Sequence, residues 1–323
     1  MPKLVQLSAY GGLDQLTIVD VPKPVPQAGE AVVRVIAAGT NPGEISIREG
    51  LLKEIFPMEF PFGQGSDFAG RVDSVGAGVT EVAPGDDVYG WSDKRSAQAE
   101  YVLISTEQLI AKPPALDWFR AGSLKVVATT AVAAVRAVSL KRGDTVAVSG
   151  AAGGVGSLAV QLARRTGERV IGIASDESAP FLRSVGVEPL AYGDGLAERL
   201  RAAAPNGLAA FIDLFGNGYV ELATTLGVAP ERINTIIDFA GAQKVGAKTD
   251  GGAAVATRES LASVADAIAW GDIVMPLTAI YPFTMVHEAY RELARRKAHG
   301  KIVLALDPTV KTPLRPTQSS ELP

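Results

Sequence analysis

Between residues 145 and 175 the chain reads TVAVSGAAGGVGSLAVQLARRTGERVIGIAS, and its hydrophobic pattern changes period twice. Residues 145–149 form a short apolar run suited to a strand buried on both faces, and a glycine cluster follows at once. From Val155 the apolar positions fall at Val155, Leu158, Ala159, Leu162 and Ala163, the spacing of a helix with one buried stripe, and Gly167 stops it. Residues 169–174 supply a second buried strand. The stretch therefore predicts a βαβ unit whose first turn is Ala151-Ala152-Gly153-Gly154-Val155-Gly156.

On the N-terminal side the pattern is different. Short runs at 3–7, 16–21, 31–38, 71–75, 88–89 and 100–104 read as strands. Closely spaced turns separate them, as at 76–78 and 84–87, and predict an all-β, barrel-like region. Residues 39–44 read as a turn, and 53–65 as a loop rich in Phe and Pro whose aromatics either cover a core or contact a flat substrate. Near 118–122 the composition shifts and a helical pattern begins, which places a domain boundary there. Past the βαβ unit, helical and strand patterns alternate: strands at 188–192, 209–215 and 233–238, helices at 178–185, 195–204 and 219–226. This predicts a doubly wound parallel sheet. Amphipathic helices follow at 261–270 and 286–297, then a closing strand at 302–306. Residues 308–323, with four prolines, read as a mobile tail.

A glycine turn between strand and helix has a physical use. It brings bare backbone N–H groups and a helix N-terminus against a pyrophosphate, where a Cβ would obstruct. Gly153, Gly154 and Gly156 leave that space, and Ala151 stands at the first fingerprint position. Where the second strand ends, Ala174 and Ser175 offer no acid for a ribose 2′-OH, and Ser175 can donate to a 2′-phosphate. NADPH is thus preferred, with NADH the alternative because Asp176 and Glu177 follow directly. Gly216 and Gly241 stand just past strand ends, where ligands of open α/β sheets bind.

Composition narrows the chemistry further. A net charge of −4 with scattered acids and bases offers no stripe for nucleic acid or an anionic membrane. No apolar run reaches the length of a membrane span and no secretory signal pattern opens the chain, so the expected location is cytoplasmic. There is no cysteine, and the two histidines, His287 and His299, lie in one late helical segment without clustered partners. No metal is expected.

Five ordered segments carry a resemblance: Ala38-Gly39-Thr40-Asn41-Pro42, Gly65 to Gly70, Val79 to Gly90, Ala151 to Gly156, and Gly300-Lys301-Ile302-Val303. In these the chain resembles the zinc-free quinone oxidoreductase branch of the medium-chain dehydrogenase/reductase superfamily, which includes the zeta-crystallins. The resemblance implies a GroES-like β-barrel domain over 1–120, completed by 262–323, with a Rossmann doubly wound parallel-sheet domain over 121–261 and a cleft between them. It also implies NADPH, a homodimer, and two-electron reduction of quinones or α,β-unsaturated carbonyls. Carried over by position, Asn41 lies by the cofactor, Thr130 by the nicotinamide, Ser175 and Tyr192 by the adenosine phosphate, and Phe215 and Phe239 by the nicotinamide ribose. Ala151, Gly153, Gly154, Val155, Gly156 and Gly241 complete the expected cofactor site. Ser46 and Leu52 stand where such reductases often carry tyrosines, and the base that often follows the phosphate-binding serine is missing.

Hydride transfer asks little of the protein beyond orientation, exclusion of water and stabilisation of the anion that forms. Without metal ligands the polarising group must be a hydrogen-bond donor. Asn41 and Ser46 are the candidates, with the proton coming from solvent. Two other readings stand beside this one: a reductase of enoyl thioesters or other carbonyls, and a non-catalytic NADPH-binding redox sensor.

Overall fold

The computed structural model describes residues 1–252 and 257–310. The expected mobile tail lies outside the described residues from 311 onward, as do residues 253–256. The chain divides into two compact units, Met1–Val126 with the segment from Leu277 onward, and Val127–Pro276. Among the described residues the first unit opens with β1 (Lys3–Leu7), β2 (Leu16–Asp20), β3 (Glu30–Gly39), β4 (Phe62–Gly63), β5 (Asp67–Val75), β6 (Asp87–Trp91), β7 (Tyr101–Ser105) and β8 (Leu109–Ala111). The second holds β9 (Thr145–Ser149), β10 (Arg169–Ala174), β11 (Glu188–Ala191), β12 (Ala210–Asp213) and β13 (Ile233–Thr235). The chain returns to the first unit with β14 (Leu277–Pro282) and β15 (Lys301–Ala305).

In the first unit β2-β1-β4 form one antiparallel sheet. A larger sheet runs β14-β15-β3-β5-β6-β8, with β7 also paired to β3. The long strand β3 is the hub, holding β7 along residues 30–34, β15 along 37–39 and β5 along most of its length. Its apolar residues Val33, Val35 and Ala38 enter a core with Phe68, Val72, Ile302 and Leu304. The polar break at Arg34 has a simple cause: its side chain is half exposed, and Nη2 pairs with Asp307 Oδ2 at 3.1 Å just past β15.

The second unit is a parallel sheet in the order β11-β10-β9-β12-β13, so the strand order reverses at β9. Alternate residues feed two cores. Val146, Val148, Val170 and Ile212 pack on one face, and Ala147, Ile171, Ile173 and Phe211 on the other. That is why these strands read as continuous apolar runs.

Three details differ from the sequence expectation. Of residues 39–44, read as a turn, the last three open the helix Pro42–Arg48. The strand expected over 233–238 ends at Thr235, whose Oγ1 accepts the amides of Ile237 (3.3 Å) and Asp238 (3.0 Å) and turns the chain. The return to the first unit comes at Leu277, whereas 262 was expected, and the helix Arg258–Ala269 stays with the second unit. The Gln161 side chain anchors the end of that segment, donating to Val274 O and accepting from Val274 N, each at 2.8 Å.

Candidate dinucleotide site and buried polar cluster

In the second unit, the loop after β9 opens the helix Gly154–Arg164 at the point where strand order reverses. The tight turn is made by Gly150, at φ +61°, one residue before the first fingerprint position. Ala151 is wholly buried, and its amide donates to Ile173 O at 3.1 Å, holding the loop against β10. A Cβ at Gly156 would lie 2.0 Å from Gly150 O, so helix and loop approach as closely as bare backbone permits. The helix N-cap is Gly153, which has no side chain to satisfy the first-turn amides of Gly154, Val155 and Gly156. These amides and the helix dipole suit a diphosphate.

The other candidates of this unit follow the carboxyl ends of neighbouring strands. Ser175 follows β10, and its hydroxyl lies 3.0 Å from that of Ser178, while Asp176 and Glu177 are exposed. Tyr192 follows β11, its amide donating to Ala174 O at 3.2 Å and its ring largely exposed. Phe215 follows β12 and packs edge-on against Tyr219, whose hydroxyl is pushed up first by burial and then by the charge of Asp213. Phe239 follows β13 as the exposed first residue of the helix Phe239–Val245. The Gly241 amide is already taken, donating to Asp238 Oδ1 at 2.9 Å in the N-cap of its own helix, so it has no free N–H for a ligand. Thr130 comes from a different element, partly exposed on the helix Lys125–Ala137.

Sequence reading missed the group that aligns these strand ends. Asp213, fully buried, accepts from Ser149 Oγ (2.6 Å) on β9 and Thr235 Oγ1 (2.7 Å) on β13. It also accepts the amides of Phe215 (3.0 Å) and Gly216 (2.9 Å). An acid ending an apolar strand is the signal that could have found it.

In the first unit Asn41 and Ser46 belong to the helix Pro42–Arg48. Asn41 is its N-cap and Pro42 its first residue, and the Glu44 carboxylate accepts the Asn41 amide N–H at 3.0 Å. Asn41 sits in a buried polar cluster. Its Nδ2 donates to Asp67 Oδ2 (3.0 Å) and Glu44 Oε1 (3.2 Å), and its Oδ1 accepts from Lys301 Nζ (2.7 Å). Two carboxylates on one end and an ammonium on the other fix which way the carboxamide points. Lys301 Nζ also donates to Thr40 O at 2.6 Å. Burial pushes the Lys301 ammonium below its usual value, and Asp67 and Glu44 oppose that. The fully buried Tyr290 hydroxyl donates to Glu44 Oε2 at 2.6 Å and is held well above the usual phenol value, by burial first and then by that charge. Gln64 and Gln98 each donate to the same hydroxyl at 2.8 Å.

This arrangement corrects one expectation. Both amide hydrogens of Asn41 are spent on carboxylates, so it has none for a developing anion. The Ser46 hydroxyl, partly exposed, makes no hydrogen bond to another described residue.

The relatives of the chain account for this architecture. Residues 27–114 match the alcohol dehydrogenase GroES-like domain, and residues 184–304 match the zinc-binding dehydrogenase model. The quinone oxidoreductase of Pseudomonas aeruginosa is 29% identical over 94% of this chain and 99% of its own length. The solved quinone oxidoreductase of Coxiella burnetii, 26% identical, superposes with a TM-score of 0.83 over 95% of this chain and 99% of that one. The chain belongs to the medium-chain dehydrogenase/reductase superfamily. Against the quinone oxidoreductase of Rattus norvegicus it is 33% identical, and there the match spans about half of each chain, 56% of this one and 55% of the relative. As in other medium-chain dehydrogenase/reductases, a GroES-like unit accompanies a Rossmann-type nucleotide unit. The zinc in the second family model's description finds no donor set: the sequence has no cysteine, His287 Nε2 lies 2.8 Å from Leu16 O, and among the described residues no three His, Asp or Glu converge.

Proposed function

We propose that this medium-chain dehydrogenase/reductase is an NADPH-dependent oxidoreductase that reduces quinones or α,β-unsaturated carbonyls without zinc. The observation that carries the proposal is the loop after β9, where Gly156 could not bear a Cβ and Gly153 leaves the first helical amides open at the reversal of strand order. When bound, the nicotinamide supplies the hydride. The chain's own residues do the rest. The amides of Gly154, Val155 and Gly156 hold the diphosphate. Ser175 and Tyr192 take the adenosine phosphate, and Phe215, Phe239 and Thr130 line the nicotinamide end. Ala174 and Ser175, with no acid at that strand end, support NADPH over NADH, while exposed Asp176 and Glu177 oppose it.

With the Asn41 carboxamide engaged, Ser46 is the residue to donate a hydrogen bond to the enolate or hydroquinone anion, whose proton comes from solvent. The same reading carries a homodimer in the cytoplasm. Among the described residues no helix is long and apolar enough to cross a membrane.

The test is purified protein mixed with NADPH or NADH and a panel of quinones, enones and enoyl thioesters, with and without a chelator. Quinone- or enone-dependent oxidation of NADPH, unchanged by the chelator, is expected. Turnover with thioesters alone would move the chain to that class of reductase. Tight binding without oxidation of any acceptor would make it a sensor, and chelator-sensitive turnover would refute the zinc-free reading.

A further inference from the structure

The buried cluster of the first unit joins residues far apart in sequence around one carboxamide. Asp67, Glu44 and Lys301 are 0%, 4% and 3% exposed, and Asn41 is 5% exposed. Two carboxylates and one ammonium therefore sit out of water, and such a set is tolerated only when charges are paired and hydrogen bonds filled. Asp67 is filled by Asn41 Nδ2 and by the Val126 amide at 3.0 Å. Glu44 is filled by Asn41, Tyr290 and the Ser66 amide at 3.0 Å. On the other side Lys301 Nζ grips Asn41 Oδ1 and Thr40 O. Thr40 is clamped to the same strand a second way, its amide and its hydroxyl both donating to Ile302 O at 3.1 and 2.9 Å. The start of β15 thus fixes Thr40 and Asn41, and Asn41 caps the helix Pro42–Arg48 that carries Ser46.

We propose that Lys301 is a positioning residue for the hydride transfer, acting through Thr40 and Asn41 to set the helix Pro42–Arg48 and the direction of the Ser46 hydroxyl. The inference rests on the function proposed above. An apolar side chain of similar length would fill the space of the lysine stem but could pin neither oxygen, and would remove the cation whose charge Glu44 and Asp67 favour through space. The Asn41 carboxamide would then be free to turn, and the helix it caps would lose its fixed start. A displacement of about 1 Å in a positioned group costs about 100-fold in turnover.

The experiment compares full-length Lys301→Met, Lys301→Arg and the double variant Lys301→Met with Asp67→Asn. It measures kcat and KM with 1,4-naphthoquinone at saturating NADPH, Kd for NADPH without acceptor, and thermal stability. Lys301→Met is expected to lose about 100-fold in kcat, with Kd for NADPH moving less than about fivefold. Lys301→Arg, which can grip both oxygens, is expected to recover at least about tenfold of that loss. The double variant removes one buried charge of each sign. It is expected to regain stability while kcat stays low, which separates positioning from bulk charge balance and serves if Lys301→Met alone does not fold. Wild-type kcat in Lys301→Met or in the folded double variant overturns the inference, and so does an arginine variant no better than methionine. A wild-type protein that binds no nucleotide or reduces no acceptor overturns the function proposed above instead, and this inference with it.

Discussion

The Ser149 hydroxyl donates to Asp213 Oδ1 across 2.6 Å, tying the end of β9 to the end of β12, and Oδ2 of the same carboxylate reaches Thr235 on β13. One buried acid thus holds three strand ends from which the loops of the nucleotide edge depart. Asp213→Ala would strand two hydroxyls and two amides in a dry site, each a penalty of about 1–3 kcal/mol if unrelieved. A fall in stability of at least about 3 kcal/mol is expected by chemical denaturation. Asp213→Asn, which keeps one acceptor oxygen, should lose less.

Gly156→Ala tests the closeness of helix and loop directly. The added methyl would meet Gly150 O at 2.0 Å, and since both partners are backbone, the helix itself must shift. Overpacking of this kind costs about 1–3 kcal/mol. Nucleotide affinity should fall more steeply than stability if the amides that the shift moves are those that hold the diphosphate. Calorimetric titration of the folded variant with NADPH checks it, and unchanged affinity would remove this loop from the site.

Asp176 and Glu177, both exposed, follow Ser175 directly. If Ser175 meets a 2′-phosphate, their charges repel it, and neutralising both as Asp176→Asn with Glu177→Gln should tighten NADPH by about fivefold, with little effect on NADH. The gain should shrink at high salt. Equal changes for both nucleotides would place the phosphate elsewhere.

Much of this architecture is legible in the sequence because its cause is local or periodic. The runs at 145–149 and 169–174 read as buried strands since alternate residues do enter two cores, and Gly153 and Gly156 announce their turn. The helix Pro42–Arg48 also left a readable signal, Asn41-Pro42 with Glu44 at the third helical position, but only seven residues with three buried give too little periodicity to outweigh a turn reading. Lys301, Asp67 and Asp213 were not legible as parts of clusters. Apart from the local amides that Asp213 accepts, their partners stand 22 to 261 residues away along the chain, and no spacing rule encodes a meeting made by sheet topology. The free or engaged state of the Asn41 amide depends on just such meetings.

Asp307, just past β15 and paired with Arg34 of β3, gives a pH signature. The Thr309 hydroxyl, donating at 2.6 Å, is the main reason its carboxyl is held below the usual carboxylate range, and the Thr309 amide and Arg34 add to it. A depressed carboxyl contributes stability above the usual range and loses it as pH falls through the folded value. Asp307→Asn should therefore be less stable than wild type by about 1 kcal/mol at pH 7, with the two converging in acid. Urea denaturation at pH 7 and pH 3 checks the convergence, and a constant gap would contradict it.

In the function proposed above, the loop from Gly150 to Gly156 receives a reduced nicotinamide dinucleotide. The most direct test is a fluorescence titration of the full-length protein with NADPH, repeated with NADH. Saturable one-to-one binding, tighter for NADPH, is the predicted result, and no measurable affinity for either nucleotide would contradict it.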